Sequence, residues 1–130
     1  MSKAVLVARI LLGLIFLVFG LNFFFGFFEL PQPSEAGGAF LGALGATGYF
    51  FYLLKVIEIL CGALLLAGRF VPLALVLLAP IVVNIFLYHL FLDPAGLPLA
   101  ILILVLELFL AWAYWPAYAG VLDANAGPRS

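Results

Sequence analysis

The sequence predicts an all-α integral membrane protein: a four-transmembrane-helix bundle with both termini cytoplasmic and a short outer interfacial helix between helices 1 and 2. Three observations predict it. Of 130 residues, 68% are apolar and 8% charged, against about half and a quarter in soluble domains. The apolar residues fall into four stretches, each near the roughly 20 residues that cross a bilayer core as a helix. None of the stretches shows the alternating polarity of a barrel strand, and an open sheet would leave backbone groups bare in lipid.

The first span is expected over 4–28, with Arg9 near its start and Asn22 towards its far side. The second covers 49–67 and holds Lys55 and Glu58, and Gly68 and Arg69 end it. The third covers 70–92, with Pro72 in its first turn, Pro80 within it, and Asn84 and His89 beyond. Proline in a first turn loses no hydrogen bond, whereas Pro80 frees the carbonyl of Val76 and is expected to bend the helix below Asn84. The fourth covers 97–115 around Glu107, with Pro98 in its first turn and Pro116 after it, and 116–130 is a cytoplasmic tail. The whole chain, 1–130, reads as one membrane domain.

Lys3, Arg9, Arg69 and Arg129 lie at one set of ends, while Glu29, Glu35 and Asp93 lie at the other. By the positive-inside rule both termini are then expected on the cytoplasmic side. The first apolar run exceeds the 7 to 15 residues of a signal-peptide core, so it is expected to be retained. In the outer loop, 29–48, Ser34 is a plausible N-cap, and Phe40, Leu41 and Leu44 share one helical face. A short interfacial helix is expected there, as a movable cover or a passive connector. Phe23, Tyr49, Tyr52 and Tyr88 on one side, and Trp112, Trp115 and Tyr118 on the other, read as interfacial anchors.

Composition also excludes chemistry. A net charge of −1 without a basic run gives no footprint for nucleic acid. Single Cys61 and single His89 make no disulfide, zinc cluster or paired haem ligation. No metal or covalently bound cofactor is expected, and no nucleophile stands beside a base, so independent catalysis is not expected.

The informative residues are the polar ones within the spans. Ionisable groups there cost roughly 2.5 to 3.5 kcal/mol each on insertion scales, so they normally face a bundle interior. Lys55 and Glu58 share a helical face and can pair, with Gly62 one turn on. Arg9, Gly13, Phe16 and Gly20 form a stripe whose small members admit a close neighbour. Arg9 either snorkels to the interface or reaches Glu107. At about 1.5 Å per residue, Asn22, Lys55, Glu58, Asn84, His89 and Glu107 all fall in the outer half. These six are the expected ligand-binding residues of a polar-lined cavity opening outward. Asn84 and His89, however, are about 140° apart on an ideal helix, as are Arg9 and Asn22. His89 alone at a helix end reads first as an interfacial hydrogen-bonder, and Cys61 as a small packing residue.

These residues carry a family resemblance. Arg9 with Gly13, Leu14, Phe16 and Gly20, the run Lys55-Val56-Ile57-Glu58 with Gly62 and Gly68-Arg69, the run Leu78 to Asn84 with His89, and Glu107 together resemble the DoxX-like family of small four-helix prokaryotic membrane proteins. The resemblance covers nearly the whole chain. It implies a role beside quinone-linked or thiol-linked oxidoreductases, as an accessory subunit with partner subunits and with a quinone as a noncovalent ligand. On this reading the cavity binds a quinone or lipid. Two other readings stand beside it: a small-solute transporter or permeation subunit, which would need to be a homo-oligomer, and a purely structural subunit that holds a partner. Distant kinship to methylamine-utilisation membrane proteins and eukaryotic cargo receptors implies that the bundle also serves non-catalytic tasks.

Overall fold

A computed structural model describes residues 2–129. Five helices follow in order: α1 (Lys3–Phe25), α2 (Glu35–Gly45), α3 (Phe50–Ala67), α4 (Val71–Phe91) and α5 (Leu97–Ala113), with 3-10 turns at Pro94–Gly96 and Trp115–Tyr118. No strand occurs among the described residues. The four long helices are long and apolar enough to cross a membrane, and this is a multi-pass membrane protein.

Local chemistry sets the ends. The Ser2 hydroxyl accepts from the Val5 amide and caps α1, while Gly26 closes it in a left-handed conformation. Gly68 closes α3 with φ 71°, and the chain turns directly into α4 through Phe70, which is itself left-handed at φ 54°. A left-handed non-glycine residue is uncommon, and here it allows a connection of three residues, 68–70. Pro72 and Pro98 lie in the first turns of α4 and α5, where proline forfeits nothing. Helix α4 continues through Pro80.

The long helices form a closed ring in which α1 packs on α3 and α5, and α4 packs on α3 and α5. Helix α1 meets α3 most intimately, because glycines face each other. A Cβ on Gly62 would sit 2.7 Å from the Leu17 nitrogen and 2.8 Å from the Gly13 oxygen, and one on Gly20 would sit 2.6 Å from Ile59. The predicted small-residue stripe of α1 is therefore the seam with α3. Leu12, Phe16, Leu65, Leu75, Leu78 and Leu110 fill the centre of the ring. Leu14, Leu60, Val76, Val83, Val105 and Leu108 stay exposed and form the face for lipid.

Helix α2 lies outside the ring, at the end remote from the chain termini. Ser34 is its N-cap, as expected, and accepts from the Gly37 amide at 3.0 Å. The same hydroxyl donates to the carbonyl of Leu92, tying the start of α2 to the end of α4. Tyr118 is more than a belt anchor: it is buried, and its hydroxyl donates to the Pro72 carbonyl at 2.9 Å, fastening the last 3-10 turn to the start of α4.

Candidate functional site

The bundle interior holds two carboxyl groups. Glu58 is 3% exposed and pairs with Lys55, with 3.3 Å between Lys55 Nζ and Glu58 Oε1. Lys55 keeps 21% of its side chain exposed, so the ammonium stands at the edge and the carboxylate inside. The i, i+3 spacing on α3 allows this geometry. Glu107 of α5 is 6% exposed and differs from Glu58, because its Oε1 has no hydrogen-bond partner. Cys61 of α3 is buried as well.

Arg9 does neither of the two things expected of it. It is buried at 7% exposure rather than snorkelling, and Lys55 with Glu58 is the one ion pair among the described residues. Its Nη1 donates to the Leu65 carbonyl at 2.9 Å, while Nε has no partner. The reason lies at the end of α3. The last carbonyls of a helix lack intrahelical donors and carry partial negative charge, so a cation one seam away satisfies them. Gly68 leaves room for the guanidinium: a Cβ there would collide with Nη1.

The remaining polar residues do not converge on one cavity. The Asn22 side chain accepts from the Phe28 amide at 2.9 Å, and its carbonyl accepts from Gly26, so it organises the end of α1. His89 Nδ1 lies 3.1 Å from the Asp93 carbonyl oxygen, and the ring packs on Gly96. Asn84 is exposed on the outside of α4, where its amide donates to the Pro80 carbonyl one turn back at 2.8 Å. The cavity expected from six residues is thus divided. Glu58, Lys55 and Glu107 belong to the interior, Asn22 and His89 to helix ends, and Asn84 to the lipid-facing side. The helical angle accounts for the separation of Asn84 from His89, since residues about 140° apart on one helix cannot share a centre.

A different depression stands at the α2 end. It is an open groove of about 260 Å³, lined by Phe40, Asn84, Leu87, Tyr88, Phe91 and Leu92. Phe40 of α2 and Tyr88 of α4 close one wall, their ring centroids 5.9 Å apart. The Tyr88 hydroxyl is buried without a hydrogen-bond partner, against Gly37, whose Cβ would lie 2.5 Å from it. Tyr88 and Phe40 were legible only as an anchor and as one member of an apolar face. The available signal was Gly37 itself, three residues after the Ser34 cap, where only a residue without a side chain admits the Tyr88 hydroxyl. The groove is mostly apolar with two polar groups, which is the usual character of a small-molecule site. A second open depression, lined by Leu108, Ala111, Trp112 and Trp115, has one polar atom source, the indoles, and faces outward from α5.

Comparison with curated proteins and with solved structures gives no match. The family model described as DoxX matches residues 4–92, which take in α1 to α4, with the Arg9 cap, the glycine seam, the Lys55–Glu58 pair and the groove wall on α4, and this four-span membrane chain therefore belongs to the DoxX family.

Proposed function

We propose that this protein is an accessory subunit of a quinone-linked or thiol-linked membrane oxidoreductase in a prokaryotic plasma membrane, and that it binds a small apolar ligand, a quinone or a lipid. The observation that carries the ligand reading is the groove between α4 and α2. It is apolar along Phe40, Leu87, Phe91 and Leu92, and it is open, with Leu87 and Phe91 among the exposed apolar residues of α4, so a lipid-soluble molecule can enter from the bilayer. Asn84 supplies polarity at one wall. One of its amide hydrogens is used on Pro80, which leaves a second N–H and the carboxamide oxygen for a ligand headgroup. In this reading Asn84 orients the head, the apolar wall holds the ring or tail, and the interior pair of Lys55 and Glu58 stays structural. The oxidoreductase association rests on family resemblance.

The test is lipid extraction and mass spectrometry of protein purified in mild detergent, followed by titration of decylubiquinone. A copurifying quinone or other apolar molecule is expected, with saturable binding that Asn84→Leu weakens several-fold. Absence of any such molecule together with non-saturable titration removes the reading.

A second reading is favoured by a separate observation. Arg9, Lys55 and His89 donate to groups of the same chain, and Asn22 accepts from one, as expected of a subunit whose polar groups hold its own shape for a partner. Affinity capture from native membranes tests it. A partner retained by Asn84→Leu protein supports the scaffold role over the ligand role.

A further inference from the structure

The wall of the groove contains an unsatisfied group. The Tyr88 hydroxyl is buried and has no partner, although a buried hydroxyl left without one is unfavourable. Its own neighbours are already engaged: the Ser34 hydroxyl accepts from Gly37 and donates to Leu92. What covers Tyr88 is α2, through Gly37 and Phe40, and Gly37 is the only buried residue of that helix. Pro31 and Pro33 precede α2, and Gly48 follows it with φ 84°. Beyond Gly37, the Ser34 hydroxyl and the Phe40 ring, α2 is held by packing near its end, where Gly45 lies against Phe51 of α3, and a helix with a single buried residue is among the least costly elements of the fold to displace.

Building on the ligand reading above, we infer that Tyr88 is the polar anchor of the groove: its hydroxyl donates to a carbonyl oxygen of an apolar ligand when α2 shifts aside. Asn84, one turn earlier on α4, stands beside it, so a ligand with an oxygen at its head and an apolar body meets both. A quinone carbonyl and a lipid ester carbonyl share this chemistry.

The experiment uses the full chain in nanodiscs of ether lipids, which carry no ester carbonyl, with decylubiquinone as the probe. Saturable binding is expected, and Tyr88→Phe, which keeps the ring and removes only the hydroxyl, is expected to weaken it about tenfold. Leu87→Trp, which fills the groove, is expected to abolish it. Loss of binding in Leu87→Trp with unchanged affinity in Tyr88→Phe leaves the groove standing and overturns the anchor. Unchanged binding in Leu87→Trp, or no saturable binding by the wild type, overturns the groove reading and the anchor with it. Competition by added ester lipid, lost in Tyr88→Phe, assigns the carbonyl to lipid, and its absence assigns it to the quinone. Two readouts are independent of affinity. Thermal stability of ligand-free Tyr88→Phe is expected to equal or exceed the wild type, whereas a fall means the hydroxyl already has a partner and overturns the anchor. Gly37→Ala, which presses on Tyr88 and the Ser34 cap, is expected to raise the association rate several-fold, and an unchanged rate overturns the covering role of α2.

Discussion

The Arg9 guanidinium donates to the Leu65 carbonyl across the α1–α3 seam, 2.9 Å from nitrogen to oxygen, in a buried contact. A hydrogen bond to a charged group is worth roughly 1.5 to 3 kcal/mol. Arg9→Met is therefore expected to lower stability by about 2 kcal/mol, and Arg9→Lys by less, because the ammonium retains the charge but not the reach of the fork. Equilibrium unfolding in mixed micelles of mild detergent and sodium dodecyl sulfate measures both, and equal stability of wild type and Arg9→Met would refute the cap.

The glycine seam predicts a sharp contrast between two glycines. At Gly62 an added side chain meets backbone atoms of α1 within 3 Å, whereas at Gly42 of α2 nothing lies within 4 Å. Backbone cannot yield as a side-chain tip does, so Gly62→Val is expected to cost about 3 kcal/mol or more, or to prevent folding. Gly42→Ala is expected to be neutral or to gain up to about 1 kcal/mol from helix propensity. Expression level and monodispersity by size-exclusion chromatography read the contrast.

Lys55 and Glu58 form a half-sheltered ion pair whose carboxylate is the more buried partner. Removing Lys55 alone strands that carboxylate, which typically costs about 3 to 5 kcal/mol. Lys55→Met should therefore be severely destabilised, and the double variant Lys55→Met/Glu58→Gln should recover most of the loss. A double-mutant cycle measures the coupling, and additivity of the two single changes would show that the pair contributes nothing.

Glu107 presents the opposite case, since its Oε1 lacks any partner. A buried polar group left without a partner costs about 1 to 3 kcal/mol, and an apolar side chain of similar volume removes that cost. Glu107→Met is expected to raise the unfolding midpoint. A lowered midpoint would mean that the carboxyl group binds something in the native membrane.

Tyr118 lies beyond the last span and couples stability to alkaline pH. Burial, with a smaller contribution from the charge of Glu107, pushes its phenol up. A raised native value means the folded state keeps a proton that the unfolded chain loses above about pH 10. Its contribution is thus complete below that pH and declines as pH rises through the native value. Thermal melts by circular dichroism should fall more steeply above pH 10 for the wild type than for Tyr118→Phe. At neutral pH the variant should be about 1 kcal/mol less stable through loss of the Pro72 hydrogen bond.

Composition and neighbours a few residues apart account for much of the fold. Four spans follow from run length, the Ser34 cap and the Gly68 stop from local backbone chemistry, the Lys55–Glu58 pair from i, i+3 spacing, and the glycine stripe of α1 from its period. Which face of each span turns inward was a different matter. In a helix apolar all round, burial and exposure to lipid are nearly equal in energy, so periodicity carries little information about facing. Only the tertiary structure turned Asn84 outward, set Arg9 on the Leu65 carbonyl instead of Glu107, left Glu107 alone in the interior, and folded α2 over the Tyr88 hydroxyl. Those outcomes depend on where helix ends and neighbouring backbones fall in space, because polar groups in a bilayer must find partners within the protein, and the partner's position is a property of the packed bundle.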